Sequence, residues 1–328
     1  MIRYVVSKSS SLLVAFFFTS TALSIPLKEV IPLIDRLASI NHLDANAKKK
    51  LEAIFSASPA MTQGNPKVTA HPMSQAQCLK HEIKQDLEFS NICQSPYMAP
   101  IYQKDAKDQR HAVACIDQFE FPNIPCEYPL VWVSPKEASE VCESLGKRLC
   151  DASEWEASCA GDDLIDRYSF GDGTIQTLHK KQRQEANRTR KVVWSYGKAK
   201  SSSLCATGSS KSPGCDEALR TGKNVYQTCG SNTYPVGAFP ECKSASGVYD
   251  LHGNAAEHMN LPTNTKELAR NGGLGYTEMK GSWFVFNKIA AHQDDCYWRA
   301  PFWHGSKINS LKGHSNYHLS FRCCKNIK

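Results

Sequence analysis

The chain has 328 residues, a formal net charge of +7, fourteen cysteines and 41% hydrophobic residues. Beyond its first residues no segment is apolar and long enough to cross a bilayer, and the lack of a CxxC pair argues against a zinc ribbon. Nucleic-acid binding is not supported: the basic excess sits mostly in His179–Lys200, a run that could touch an anionic surface but lacks interleaved aromatics apart from Trp194 and Tyr196 and reads as a solvated loop.

Residues 1–24 read as a secretory signal, with Arg3 and Lys8 at the basic start, Leu12 to Phe18 as the apolar centre and small residues from Ala22 to Ser24 at the cleavage site. A retained anchor is the competing reading. Removing that segment leaves a charge of about +5 and no membrane association. Export to a secreted or periplasmic, oxidising compartment turns the even cysteine count into a disulfide framework. Segment 25–75 carries two apolar stripes at helical spacing, Val30, Ile31, Leu33, Ile34, Leu37 and Ile40, then Leu51, Ile54 and Phe55. Asp44 stands where the second helix needs an N-cap, so a helical hairpin is expected, followed by a linker over 56–75. Residues 76–109 are ambiguous, with Cys78 and Cys93 able to staple a small subdomain.

The main domain is expected over 110–328. Ala112–Phe119 and Glu127–Val133 read as strands. Ser134-Pro-Lys-Glu137 is a capping box with proline at the first helical position, opening a helix that stops at Gly146. Asp151, with Glu154 three residues on, caps another. Beyond Gly161 the pattern breaks into short segments. Cys115/Cys126, Cys205/Cys215 and Cys229/Cys242 are candidate local disulfides, because each closes a short stretch bearing Pro or Gly.

The densest stretch is Gly247–His258, GVYDLHGNAAEH. Asp250 and Glu257 offer carboxylates, and Gly253 lets the chain bend so that its own carbonyl and that of Ala255 turn inward. Such a mixture suits calcium; an ordinary turn is the plainer reading. Around it lie Val131-Trp-Val-Ser-Pro-Lys-Glu-Ala138, Gly146-Lys-Arg-Leu149, Glu154-Trp-Glu156, Tyr234-Pro-Val-Gly-Ala-Phe-Pro240, Lys280-Gly-Ser-Trp283 and Leu319-Ser-Phe-Arg-Cys-Cys324. In this order the set resembles the formylglycine-generating enzymes, or sulfatase-modifying factors, whose blocks read roughly VSWxxAxxYC, GKRLPTEAEWE, PVGxFP, GLYDMxGNVWEW, RGGSW and GFRC. The resemblance implies an α+β fold, a C-type-lectin-like variant with little regular structure, disulfide-rich and here preceded by a short helical segment. It also implies a Cys142–Cys323 bond, and a cation loop in which Asp250, Gly253, Ala255 and Glu257 hold calcium.

Enzymes of that family bind copper through two cysteines beyond the GSW block and convert a substrate cysteine to formylglycine with oxygen. Soft thiolates select Cu(I). Here Ser282 and Trp283 are present, and Cys296 matches the second cysteine, but the first falls on Val285 and the intervening stretch is longer than the family's. His292, four residues before Cys296, would share its face on a helix and supply a substitute ligand; Cys296 as half of a disulfide is the alternative. Cys296, Ser282, Trp283 and His292 are therefore the candidate catalytic set. His258 and Ala256 stand where the family has tryptophans, opening space near the cation loop. Further histidines, His252, His304, His314 and His318, and the aromatics Phe284, Phe286, Tyr297, Trp298, Phe302 and Trp303 either line a groove or pack the core.

No G-x-S-x-G elbow, GxGxxG, P-loop or HExxH motif occurs. Two functions remain. One is an exported, calcium-stabilised binding or structural protein that has lost the copper pair. The other is a metal-dependent oxidoreductase acting on a peptide or small molecule through Cys296 and a nearby histidine.

Overall fold

The computed structural model describes residues 27–58, 60–166, 173–301 and 305–327. The expected leader, and Phe302, Trp303 and His304, lie outside them. Helices α1 (Leu27–Ile40) and α2 (Ala45–Ala57) form the expected hairpin, and Asp44 caps α2 by accepting from the amides of Asn46 at 2.9 Å and Ala47 at 2.8 Å. Their inner faces place Ile34, Leu37 and Leu51 in one apolar cluster with Ala138, Val141 and Leu145 of the main domain. Each such side chain contributes roughly 1.5–3 kcal/mol by leaving water, so the hairpin is part of the core rather than an appendage.

The chain then runs through α3 (Gln75–Cys78) and α4 (Leu87–Cys93) to β1 (Met98–Lys104) and β2 (Arg110–Asp117). Next come α5 (Pro135–Ser144), β3 (Arg148–Leu149), α6 (Ala152–Ala160) and α7 (Gly173–Thr189). Two short helices, α8 (Cys215–Thr221) and α9 (Val225–Thr228), precede β4 (Ala256–Leu261), β5 (Tyr276–Lys280), β6 (Leu319–Phe321) and β7 (Cys323–Asn326). One sheet has the order β1-β2-β7-β3 and is antiparallel; the other is β5-β4-β6, with β6 parallel to β4. Consecutive strands β6 and β7 thus belong to different sheets, and Arg322 is the residue at which the chain crosses between them. The architecture is α+β, with long irregular segments between short elements.

Several expectations change. Residues 56–75 are not a loose linker, because Thr62 bridges Val131 and Met61 is buried, 1% exposed. The expected strand over Glu127–Val133 does not form: the segment makes only that one bridge and turns through left-handed backbone at Trp132, φ 60°. The ambiguous 76–109 segment supplies β1, hydrogen-bonded along β2. The basic run is not a solvated loop throughout, since α7 carries it up to Thr189. Asp151 is the N-cap of α6 as expected, with Glu154 accepting its amide at 2.8 Å, and its carboxylate also accepts from Asn260 and Ala269 at 2.6 and 2.8 Å.

All fourteen cysteines pair. The bond implied by the resemblance, Cys142–Cys323, is present, tying α5 to β7. The three local pairings are wrong: Cys115 joins Cys93, Cys126 joins Cys78, Cys205 joins Cys242 and Cys215 joins Cys229. Loop closure rewards near neighbours only weakly, whereas Cα positions decide which sulfurs meet. Cys150–Cys324 and Cys159–Cys296 complete the set. Complete pairing is the state of an oxidising compartment, and among the described residues no helix is long and apolar enough to cross a membrane.

Candidate functional site

Arg322, fully buried at the strand crossing, gathers the first centre. Its guanidinium donates to both Glu257 oxygens at 2.7 Å, and to the carbonyls of Asp117 and Tyr249 at 3.0 Å. Glu257 also accepts from the Trp155 indole at 3.2 Å. Such a bidentate pair is rigid as well as charge-assisted. Beside it the loop before β4 turns through left-handed backbone at Asp250, Gly253 and Asn254, with φ of 56°, 81° and 52°. Gly253 has a second constraint, since a Cβ there would lie 2.8 Å from the Ala206 carbonyl oxygen.

Asp250 accepts the Gly237 amide at 2.6 Å. Glu120 accepts the Ala255 amide at 2.7 Å and the Asn254 side-chain amide at 2.6 Å. Burial pushes Asp250 up to about 7, with the Gly237 and Arg322 contacts opposing. Burial, then the Asp250 and Glu257 charges, raises Glu120 well above the usual carboxylate range. Burial raises Glu257 too, against the pull of Arg322. Three buried carboxyl groups share one guanidinium, and the raised values mean that Asp250 and Glu120 hold protons that a bound cation would displace. Of the residues expected to hold calcium, Asp250, Gly253 and Ala255 keep their places on the loop. Glu257, by contrast, is committed to Arg322 and Trp155, and Glu120 takes the position facing the loop. Sequence reading passed over Glu120; its signal was a lone acidic residue between Phe119 and Phe121 at a strand end.

The second centre lies on the other side of the same loop. Ser282 accepts the Gly253 amide at 2.9 Å and donates to Asp294 at 3.1 Å, so it links the 250–255 loop to the segment that carries Asp294. Asp294 also receives Lys200 at 2.9 Å and the Trp194 indole at 3.1 Å. Trp283 stacks on His318 with centroids 4.8 Å apart, and its indole N–H is buried without a hydrogen-bond partner among the described residues. His292 stacks on Trp298 at 4.1 Å. Trp194, Lys200, His292 and Asp294, with Arg188 and Lys198, line a cleft of 440 Å³ between α7 and the 292–295 segment.

Cys296 is in a turn, so the helical pairing with His292 does not form. Its sulfur is bonded to Cys159 on α6, and both residues are fully buried. The imidazole beside them is His252, whose Nε2 is 3.5 Å from the Cys159 sulfur and accepts the Ser195 amide at 2.9 Å. Burial lowers His252 to about 4, against the raising effect of Asp294 and Asp295, which keeps it neutral. Among the described residues the ligand atoms of Cys159, His252 and Cys296 lie within 4.8 Å of one another, as do those of Cys150, Glu154 and Cys324. Val285 is buried in an apolar cluster with Phe284, Phe286 and Tyr317. Trp155 and Cys159, one turn apart on α6, therefore face the two centres in turn. The aromatics Phe284, Phe286, Tyr297 and Trp298 are buried as core.

A disulfide-stapled α+β domain with a buried carboxylate loop, and a Ser-Trp segment leading on to a cysteine, defines the class. The chain belongs to the family described as the sulfatase-modifying factor enzyme 1-like domain, whose profile matches residues 68–327. The match thus begins well before β2 and takes in β1. Among solved structures the chain is similar to one described as "Crystal Structure of CarF", at 12% identity over 70% of this chain and 96% of that one, with a TM-score of 0.38, a distant likeness on which nothing further rests. No curated protein matches it.

Proposed function

We propose that this protein is an exported, calcium-stabilised member of the family that does not form formylglycine and instead serves as a binding domain for a peptide or protein segment. The observation that carries this is at position 296: the Cys296 sulfur is bonded to Cys159, and the place of the first copper cysteine holds a buried Val285. Copper held by that pair would supply oxygen activation, but a valine cannot ligate, so the residues do not fit the family's pair. For calcium the donors are of the right chemical kind, carboxylate and carbonyl oxygens on or facing one loop. Asp250 and Glu120, with the carbonyls of Gly253 and Ala255, would hold the ion, and Glu257 with Arg322 would position the loop from behind. Calcium there supplies charge neutralisation and fixes the loop. The leader-like residues 1–24 and the seven disulfides support export. The 440 Å³ cleft, with an indole wall at Trp194 and basic groups at Arg188, Lys198 and Lys200, suits an extended peptide carrying an acidic side chain.

The test is incubation of the secreted protein with cysteine-containing peptides, copper and oxygen, followed by mass spectrometry. Every peptide thiol should survive. Appearance of the aldehyde at a rate above the protein-free control refutes the proposal.

A further inference from the structure

We infer that the partner segment is polyacidic, with carboxylates repeated along an extended chain that leaves the cleft and runs over the basic face of α7. This deepens the peptide reading of the cleft and rests on it. The first observation is the uneven placement of charge. Residues 179–200 hold eight of the chain's 39 basic residues and one of its 32 acidic ones, so outside this stretch the two signs nearly cancel. Such segregation builds a positive field over one face and steers an anionic partner to it. The second observation is that most of this charge is uncompensated. Lys180, Lys181 and Lys191 are exposed, and none makes an ion pair among the described residues. Lys198 donates to the Arg188 carbonyl at 2.6 Å, which leaves its charge unanswered. Inside the cleft, by contrast, Asp294 is met by Lys200 at 2.9 Å and Asp295 by Arg183 at 3.4 Å. Arg188 pairs with Glu185 at 2.7 Å, but both are exposed, and so weak a pair gives way to a ligand carboxylate.

The third observation is spacing. Lys180, Gln184 and Arg188 recur every four residues and so share one stripe of α7, and the last two line the cleft. The stripe therefore leads out of the cleft to Lys180. Each step along it rises about 6 Å, and an extended chain advances about 7 Å for every two residues, the interval between side chains on one face. Acidic residues at alternate positions of the partner thus meet successive positions of the stripe. Carboxylates four residues apart reach Arg188 and Lys180, and the one between them reaches the Gln184 amide. Other polyanions match this surface less well. Among the described residues no exposed large apolar side chain lies in 180–200, so nothing there enters a bilayer. A single-stranded nucleic acid stacks on successive aromatics, whereas Tyr196 packs edge-on against His252 at 5.5 Å and leaves Trp194 alone at the cleft.

The test is fluorescence anisotropy on the full secreted protein in calcium, with two labelled peptides of glycine and serine. One carries a single Glu, the other Glu at alternate positions. The polyacidic peptide should bind about tenfold more tightly, from several exposed pairs acting together. That gain should shrink to about twofold when salt rises from about 50 mM to about 500 mM, as screening shortens the reach of each charge. Lys180→Glu with Lys191→Glu should abolish the gain and leave the Kd of the single-Glu peptide unchanged. Both positions are exposed, and should the variant still fail to fold, the two peptides on wild type decide the matter alone. Equal affinity for both peptides overturns the inference while the peptide reading of the cleft stands; binding of neither overturns both. Tighter binding of polygalacturonate, of a single-stranded oligonucleotide or of phosphatidylglycerol vesicles, at equal charge, overturns it too.

Discussion

Replacing Asp250 with Asn should invert the ranking of variant and wild type when calcium is chelated. In the cation-free protein burial holds the Asp250 proton to about pH 7, against 3.8 for an ordinary aspartate. The folded state therefore binds the extra proton, and the stability it confers is full below about pH 4 and lost as pH rises through 7. At pH 8 that loss comes to about 4 kcal/mol. Asn keeps an oxygen for the Gly237 amide but cannot ionise. In EGTA at pH 8 the variant should thus exceed wild type by up to about 4 kcal/mol, or about 8 °C in Tm for a chain of this size. The advantage should fade as pH falls and vanish near pH 4. With calcium at a thousandfold excess over Kd, wild type gains roughly 4 kcal/mol by mass action, while the variant, short of one charged ligand, gains much less, and the order reverses. Differential scanning fluorimetry at pH 4, 6 and 8, with calcium or EGTA, reads all of this. A wild-type Tm unmoved by chelation, or a variant below wild type in EGTA at pH 8, would refute the reasoning.

His258 is held near 4, first by burial and then by the His314 charge, so its contribution is full above about pH 6.5 and lost as pH falls toward 4. His258→Gln should lose about 3 kcal/mol less than wild type over that range in urea titrations, and parallel curves would count against it. Removing the Cys142–Cys323 bond by alanine at both positions should cost about 3 kcal/mol, because Cys150–Cys324 still closes the long loop and only the short ring between the two bonds is freed; an unchanged denaturation midpoint would contradict this. Glu257→Ala leaves the Arg322 charge buried without its partner and should cost roughly 3–5 kcal/mol, measured by the same titration. A cost under 1 kcal/mol would show that water reaches the strand crossing.

The candidate site was legible wherever chemistry is written locally. The Asp250–Glu257 loop announced itself through Asp, Gly and Glu at turn spacing, and the capping box at Ser134 appears as read, with the Glu137 carboxylate accepting the Ser134 amide at 2.7 Å. The α1–α2 hairpin followed from a stripe of apolar residues. Glu120 was not legible, because nothing near it in sequence says that it will face Asp250, 130 positions away. The partner of Cys296 escaped for the same reason. A helical pairing with His292 was the nearest local guess, and the 287–300 segment has no helix to hold it.

The sequence by itself determined the family, the short helices and their caps, and the turn chemistry of the Asp250–Glu257 loop, since these depend on neighbours a few residues apart. Only the tertiary structure decided the seven disulfide partners, the Arg322 crossing between sheets and the meeting of Cys159, His252 and Cys296. The physical reason is distance along the chain. Local hydrogen bonds and turns are specified by the residues that make them, whereas sulfurs 137 residues apart meet only where the packed core brings α6 under the segment that carries Cys296.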